Sequence, residues 1–200
     1  PKEGETLVGG LPHIVKWTSD GMLKENSCAI EYSNDGSNFI KYAEHLPKTG
    51  IHYWVPPAKA AEKVWLRIGA LTPEGSWLVS KPIAVRIIEE TEPDYETAYK
   101  YYNKGRLLLA QRKYGQAAVE YENALKSWQR FANALNDLGV IFYEQDDYAK
   151  ALEYFLKAMA CEESNPLYMV NASKAYLQLG LYDDSLKIIR RSITFKVGSD

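Results

Sequence analysis

The sequence predicts a multidomain fold, an all-β sandwich followed by an all-α stack of helix–turn–helix units, and three observations carry that prediction. Residues 1–88 change character every eight to twelve residues, in short β-rich runs parted by turn chemistry. Residues 94–195 lose that pattern and become rich in Ala, Leu, Tyr and Glu, with apolar side chains recurring at a helical period. Within this second part, positions 34 apart match one another in columns of small and aromatic residues.

The β runs are, in order, TLVGG (6–10), HIVKWTS (13–19), CAIEYS (28–33), NFIKYAE (38–44), IHYWV (51–55), KVWLRIGAL (63–71) and SWLVSKPIAVRII (76–88). Between Tyr32 and Phe39 lies SNDGSN, whose Asp-Gly pair is a strong hairpin signal because glycine takes the left-handed backbone a tight turn needs. Val64, Leu66 and Ile68 point to one face, with Trp65 and Arg67 on the other; Ile83, Val85 and Ile87 repeat the alternation around Ala84 and Arg86. Seven such runs in under 90 residues predict an antiparallel β-sandwich over 1–88. The stretch 89–97 opens on EETEPD and reads as a short acidic linker, too short for a free tether, so the two halves are expected to touch.

In the second half Tyr114, Tyr148 and Tyr182 align at the 34-residue shift, as do Ala117, Ala151 and Ser185, then Tyr121, Phe155 and Ile189, then Ala124, Ala158 and Ser192. Upstream of these, Gly105, Gly139 and Ser173 align, and so do Leu108, Phe142 and Tyr176. Small residues inside a helix waste core volume unless a second helix comes very close, so the small columns mark where paired helices meet. On these columns residues 98–197 resemble the tetratricopeptide repeat (TPR) family, as a superhelix of three repeats at 98–131, 132–165 and 166–197. The proline that usually closes such a repeat is missing; those positions are Gln129, Glu163 and Val197, while Pro166 opens the third repeat behind Ser164 and Asn165.

The first half resembles the immunoglobulin-like or fibronectin-III-like modules of bacterial surface and envelope proteins, through VKWTSDG, IEYSNDGSNF, YWVP and LRIGA across residues 9–88. That resemblance implies a periplasmic or surface setting. The first residue is Pro1 rather than Met, with no charged-then-apolar leader behind it, as expected of a fragment.

Composition narrows the function classes. Apolar residues are 46% and charged residues 25%, as in ordinary globular chains, and no apolar run reaches the length of a membrane helix. Before Asp94 there are 10 basic and 12 acidic residues, and 14 of each from there on, so neither half carries the basic footprint of a nucleic-acid binder. Cys28 and Cys161 lie in different halves and read as two lone buried thiols.

No catalytic or metal constellation emerges, so no cofactor, metal or enzyme activity is expected. His13, His45 and His52 are the only histidines; His45 and His52 flank LPKTG and could meet across a hairpin, yet nothing completes a ligand set, and all three read as surface histidines on strand ends. LPKTG resembles a sortase signal but is internal, and reads as a turn. SNDGSNF is similar to the Asp-box of sialidases, one residue short, and also reads as a turn. Asp146/Asp147 and Asp183/Asp184 read as matching caps of second helices rather than calcium ligands.

The resemblance implies a concave groove lined by the first helices. Its helical faces carry Tyr99, Tyr102, Asn103 and Arg106, then Asn136, Asp137 and Tyr143, then Asn171 and Lys174. Asn103, Asp137 and Asn171 form one polar column able to hydrogen-bond an extended peptide backbone, with tyrosines beside it for apolar side chains. The family's chaperone-binding members clamp a C-terminal carboxylate with Lys, Asn and Arg; here Tyr102, Arg106, Asp137, Leu167 and Asn171 hold those places, so that clamp is absent. The expectation is a non-catalytic protein-interaction scaffold, with an adhesive or glycan-binding β half using Trp65, Trp77 or Tyr53 as the alternative. The last helix carries Leu186, Ile189, Ile193 and Phe195 with no polar helix before Asp200, which predicts self-association through that face, cover by the β domain, or a cap present in the parent protein.

Overall fold

The structure, a computed structural model, describes residues 1–19, 23–47 and 50–197, with side chains of the last helix described as far as Ile193. The chain divides into two compact units, Pro1–Glu90 and a second from Thr91 onward.

Among the described residues the first unit contains eight strands: β1 (Thr6–Val8), β2 (His13–Trp17), β3 (Cys28–Ser33), β4 (Ile40–Leu46), β5 (Gly50–Trp54), β6 (Ala61–Leu71), β7 (Trp77–Val79) and β8 (Ile83–Ile88). One sheet runs β1-β8-β6-β3-β4 with β7 also on β6, and β2 and β5 form a second sheet. All pairs are antiparallel except β1 with β8. Val15 and Trp54 from the small sheet meet Ile30, Val64, Leu66, Val85 and Ile87 from the large one in a single core. The two sheets therefore share one core, with each fully buried large side chain contributing roughly 1.5–3 kcal/mol. The alternation read around Val64 and Val85 is the pattern that faces this core.

Two features depart from the linear reading. The run SWLVSKPIAVRII is two strands, because Pro82 has no N–H to offer the ladder. At the break, the Ser80 hydroxyl accepts a hydrogen bond from the Ile68 N–H (3.0 Å), while the Ser80 N–H donates to the Ile68 carbonyl (2.8 Å). Around LPKTG the chain leaves β4 in one sheet and enters β5 in the other, so it forms no hairpin; Lys48 and Thr49 lie outside the described residues. The Asp-Gly turn does form: Gly36 has φ +76°, and the Asp35 carboxylate accepts from the N–H groups of Ser37 and Asn38 (2.8 Å each). Those bonds hold the Asp35 carboxyl well below the usual carboxylate range.

The second unit is six helices: α1 (Tyr95–Ala110), α2 (Tyr114–Ser127), α3 (Ala132–Glu144), α4 (Tyr148–Cys161), α5 (Pro166–Gln178) and α6 (Tyr182–Val197). Helix α1 starts inside the stretch read as linker, because Asp94 caps it by accepting from the Thr97 N–H (3.0 Å). Asn165 caps α5 in front of Pro166. Of the two acidic pairs, Asp147 is a cap, bonded to the Lys150 N–H at 3.1 Å, whereas Asp183 and Asp184 sit inside the first turn of α6 and are not its cap. There their charge complements the helix dipole.

The small columns lie where the sequence put them. A Cβ added to Gly105 would come 2.6 Å from the Tyr121 ring, and one added to Gly139 would come 2.5 Å from the Phe155 ring. In the third repeat Ser173 and Ser185 instead share a hydrogen bond between their hydroxyls (2.8 Å). Ala117, Ala124, Ala151 and Ala158 are fully buried.

The turn inside each repeat closes identically. The N–H groups of Lys113, Asp147 and Leu181 donate to the carbonyls of Leu108, Phe142 and Tyr176 (3.0 Å each), and the preceding residues Arg112, Asp146 and Gly180 have φ of +57°, +61° and +74°. This is the left-handed helix ending, which only the third repeat builds with glycine.

Candidate functional site

The side chains read as a groove come from α1, α3 and α5, and the structure joins those helices through a chain of polar and aromatic contacts. On α1, the Tyr99 ring stands edge-on to Phe131 (4.9 Å) and the Tyr102 ring lies 4.8 Å from it. Tyr95 packs edge-on against Trp128 (4.9 Å), which stacks on Phe131 at 4.5 Å. Trp128 ends α2 and Phe131 precedes α3, so this cluster fixes α1 against the connection between the first two repeats. Tyr99 keeps 46% of its surface exposed.

Asp137 on α3 stands at the middle of the line. The Asn136 amide donates to its Oδ1 at 3.2 Å, and Tyr102 and Arg106 lie within electrostatic reach. Burial raises the Asp137 carboxyl above its ordinary range, against the opposing pull of those donors and of the Arg106 charge. Burial and then the Asp137 charge push the Tyr102 phenol up to about 12. The buried Tyr121 hydroxyl leans toward Asp137 without closing a well-formed hydrogen bond.

From α5, Asn171 donates to the Asn136 Oδ1 (2.9 Å), and the Tyr168 hydroxyl donates to the Asn133 Oδ1 (2.8 Å). The polar column is thus partly structural. Asn136 is buried at 5% exposure and cannot face a partner directly, and Asn171 is half-buried and already bonded. Asn103, Arg106 and Lys174 are exposed, and Arg106 lies 5.9 Å from the Tyr102 ring. Tyr143 is half-buried, edge-on to Tyr148 at 5.2 Å. Beside them on α5 run Leu167, Val170 and Leu177, exposed at 55%, 36% and 49%.

Column reading missed Tyr95, Trp128 and Phe131. The residues 34 beyond Trp128 and Phe131 are Glu162 and Asn165, so the cluster exists in one repeat only. The density of aromatics between Tyr95 and Phe131 is the signal that could have found it.

In the β unit, His13 is not a surface residue: it is 7% exposed, with its Nε2 3.1 Å from the Val8 carbonyl. His45 is exposed on β4 and His52 half-buried on β5, in different sheets. Neither cysteine forms a disulfide; Cys28 is buried and Cys161 half-buried. Among the described residues there is no cluster of three or more His, Cys, Asp or Glu placed to hold a metal, and no helix is long and apolar enough to cross a membrane. Trp65 lies against Gly36 with the Lys63 ammonium 5.1 Å from its ring, and Trp77 lies against Gly69 with Lys41 at 5.0 Å.

Residues 102–166 match the tetratricopeptide repeat family model. Two solved structures share the fold at a TM-score of 0.50. One is MamA, 20% identical, with 52% of this chain and 61% of that chain covered. The other is the first TPR of Spaghetti (RPAP3) bound to HSP90 peptide SRMEEVD, 17% identical, with 52% of this chain and 82% of that chain covered. The chain thus spans less than two thirds of the length of MamA. No curated protein sequence matches it. The six helices share the tetratricopeptide-repeat fold, one typically used for protein interaction rather than catalysis.

Proposed function

We propose that this chain is a non-catalytic interaction scaffold whose first helices hold an extended partner segment along Tyr99, Tyr102, Asn103, Arg106, Asp137, Tyr143, Asn171 and Lys174. One observation carries the reading: Tyr99, Leu167 and Leu177 stand exposed on first helices, Tyr99 keeping 46% of its surface open although its ring also packs on Phe131, and the recessed Asp137 lies on the first helix between theirs. Aromatic and aliphatic anchors around a recessed polar group are the usual makeup of a peptide site. The Spaghetti repeat is bound to an acidic peptide, SRMEEVD. Here a carboxylate occupies the middle of the line, so an acidic tail would meet like charge. The partner segment is neutral or basic, with backbone N–H groups or a Lys or Arg directed at Asp137. Asn136 supports the site by positioning Asp137 and Asn171.

The β unit serves as a companion module. Its two-sheet arrangement supports the resemblance to immunoglobulin-like modules and, through it, a bacterial envelope setting; fractionation of cells carrying the full-length protein tests the latter. Display of a random peptide library to the 200-residue chain tests the scaffold. Neutral or basic segments are expected to be enriched, with Tyr99→Ala weakening binding by about tenfold. Enrichment of acidic tails, or binding that survives Tyr99→Ala and fails with Trp65→Ala, would overturn it.

A further inference from the structure

The outer face of α6 carries an unspent packing surface. In α4 the side chains of Leu152, Phe155 and Met159 are 0%, 1% and 6% exposed. The residues 34 further on, Leu186, Ile189 and Ile193, are 54%, 37% and 57% exposed, and Tyr182 is 64% exposed. The other end of the array is finished differently. Where α3 and α5 carry buried Ala134 and Tyr168, then Leu138 and Ala172, α1 carries exposed Lys100 and Lys104. Stacking α6 of one copy on α1 of another would bury those lysines, so head-to-tail growth is disfavoured.

We propose that the α6 face joins a second copy of this chain, with the two α6 helices antiparallel about a two-fold axis. The stripe Tyr182, Leu186, Ile189 and Ile193 has spacings of 4, 3 and 4, which read the same in both directions. Antiparallel pairing therefore sets Tyr182 opposite Ile193 and Leu186 opposite Ile189, twice over. Charge selects the same direction. Asp183 and Arg190 lie two turns apart on one edge of the stripe, and antiparallel pairing brings Asp183 of each copy beside Arg190 of the other. The opposite edge is closed, because Ser185 and Ser192 are buried. The exposed pair of Arg191 with Glu163 (3.2 Å) lies outside the stripe and is left intact. A seam of twelve residues, about 18 Å at 1.5 Å per residue, makes a small interface, so the dimer is weak, on the order of micromolar.

Sedimentation equilibrium of the full chain from about 1 to 500 μM tests this, and a monomer–dimer equilibrium is expected. Leu186→Glu with Ile193→Glu should abolish the dimer and leave the thermal melt at monomeric concentrations unchanged, since both side chains are more than half exposed. Asp183→Arg and Arg190→Asp should each weaken it by about tenfold, and the two together should restore it to within about threefold. If the double Glu variant fails to fold, the charge-reversal set decides alone. A wild type monomeric throughout, assemblies that grow past the dimer, or a double reversal weaker than either single change would overturn the proposal. So would a monomer whose stripe is shielded from surface labelling, which would assign the face to another segment of the chain.

Discussion

The first two repeats and the third fill the contact between their paired helices by different chemistry. In repeats one and two a glycine on the first helix makes room for an aromatic ring sixteen positions later, Tyr121 against Gly105 and Phe155 against Gly139. In repeat three the glycine is Ser173, the ring is Ile189, and the close approach is sealed by the hydrogen bond between Ser173 and Ser185. Interdigitation tolerates no added atom, whereas a hydroxyl pair tolerates loss of both members better than loss of one. The difference shows that the 34-residue period marks where paired helices meet, while the contact made there varies.

The largest expected effect breaks the comparison at the ring. Phe155→Ala should lower the unfolding free energy by about 3–5 kcal/mol, and Ile189→Ala, at a site 37% exposed, by less than about 1.5 kcal/mol. Denaturant titration of both variants checks this, and equal losses would show the two positions to be equivalent after all.

Overpacking comes next. Gly139→Ala should cost about 1–3 kcal/mol, because the new methyl would overlap the Phe155 ring. Pairing it with Phe155→Leu should recover part of the loss, which a double-mutant cycle reads directly.

The hydroxyl pair sharpens the contrast. Ser173→Ala alone leaves the buried Ser185 hydroxyl only its bond to the Ser173 carbonyl (3.2 Å) and should cost about 1 kcal/mol, while Ser173→Ala with Ser185→Ala should cost less than the sum of the singles. Additive losses in chemical denaturation would mean that the hydrogen bond carries no coupling.

The smallest effect concerns the polar column, in which repeat two alone bears a charge. Burial raises the folded-state pKa of Asp137, so the folded protein holds this proton to a higher pH than the unfolded chain does. The associated stability is present below the unfolded value, about 3.9, and is lost as pH rises through the folded value. Asp137→Asn, which makes repeat two resemble its neighbours, should remove that slope. Its melting temperature relative to wild type should rise between acidic and neutral pH, and a pH-independent difference would sink the argument.

The paired helices were legible because a small residue on the first helix and a large one sixteen positions later recur at Gly105 and Tyr121 and at Gly139 and Phe155. What does not recur was invisible to the same reading. The cluster of Tyr95, Trp128 and Phe131 belongs to repeat one alone, and the Asn171–Asn136 bond joins positions 35 apart, across neighbouring columns. The left-handed turns were hidden because Arg112 and Asp146 stand where glycine would have announced them. In the β unit the alternating strands could be read from side-chain polarity. The break at Pro82 and the change of sheet after Pro47 depend on which backbone groups find partners, and polarity does not report that.

The pairing of β1 with β8 has a mechanical consequence. These are the first and last strands of their unit and run parallel, held by bonds from Gly4 N–H to the Ala84 carbonyl, Arg86 N–H to the Glu5 carbonyl, and Gly9 N–H to the Ile88 carbonyl. A pull on the chain entering at β1 and leaving at β8 draws the two strands lengthwise past each other, so these bonds bear the tension together instead of opening one at a time. The β unit should therefore resist stretching more than heating, and single-molecule pulling from its ends should give a higher rupture force than pulling through Gly36 and Ile88. Equal forces in the two directions would remove the clamp.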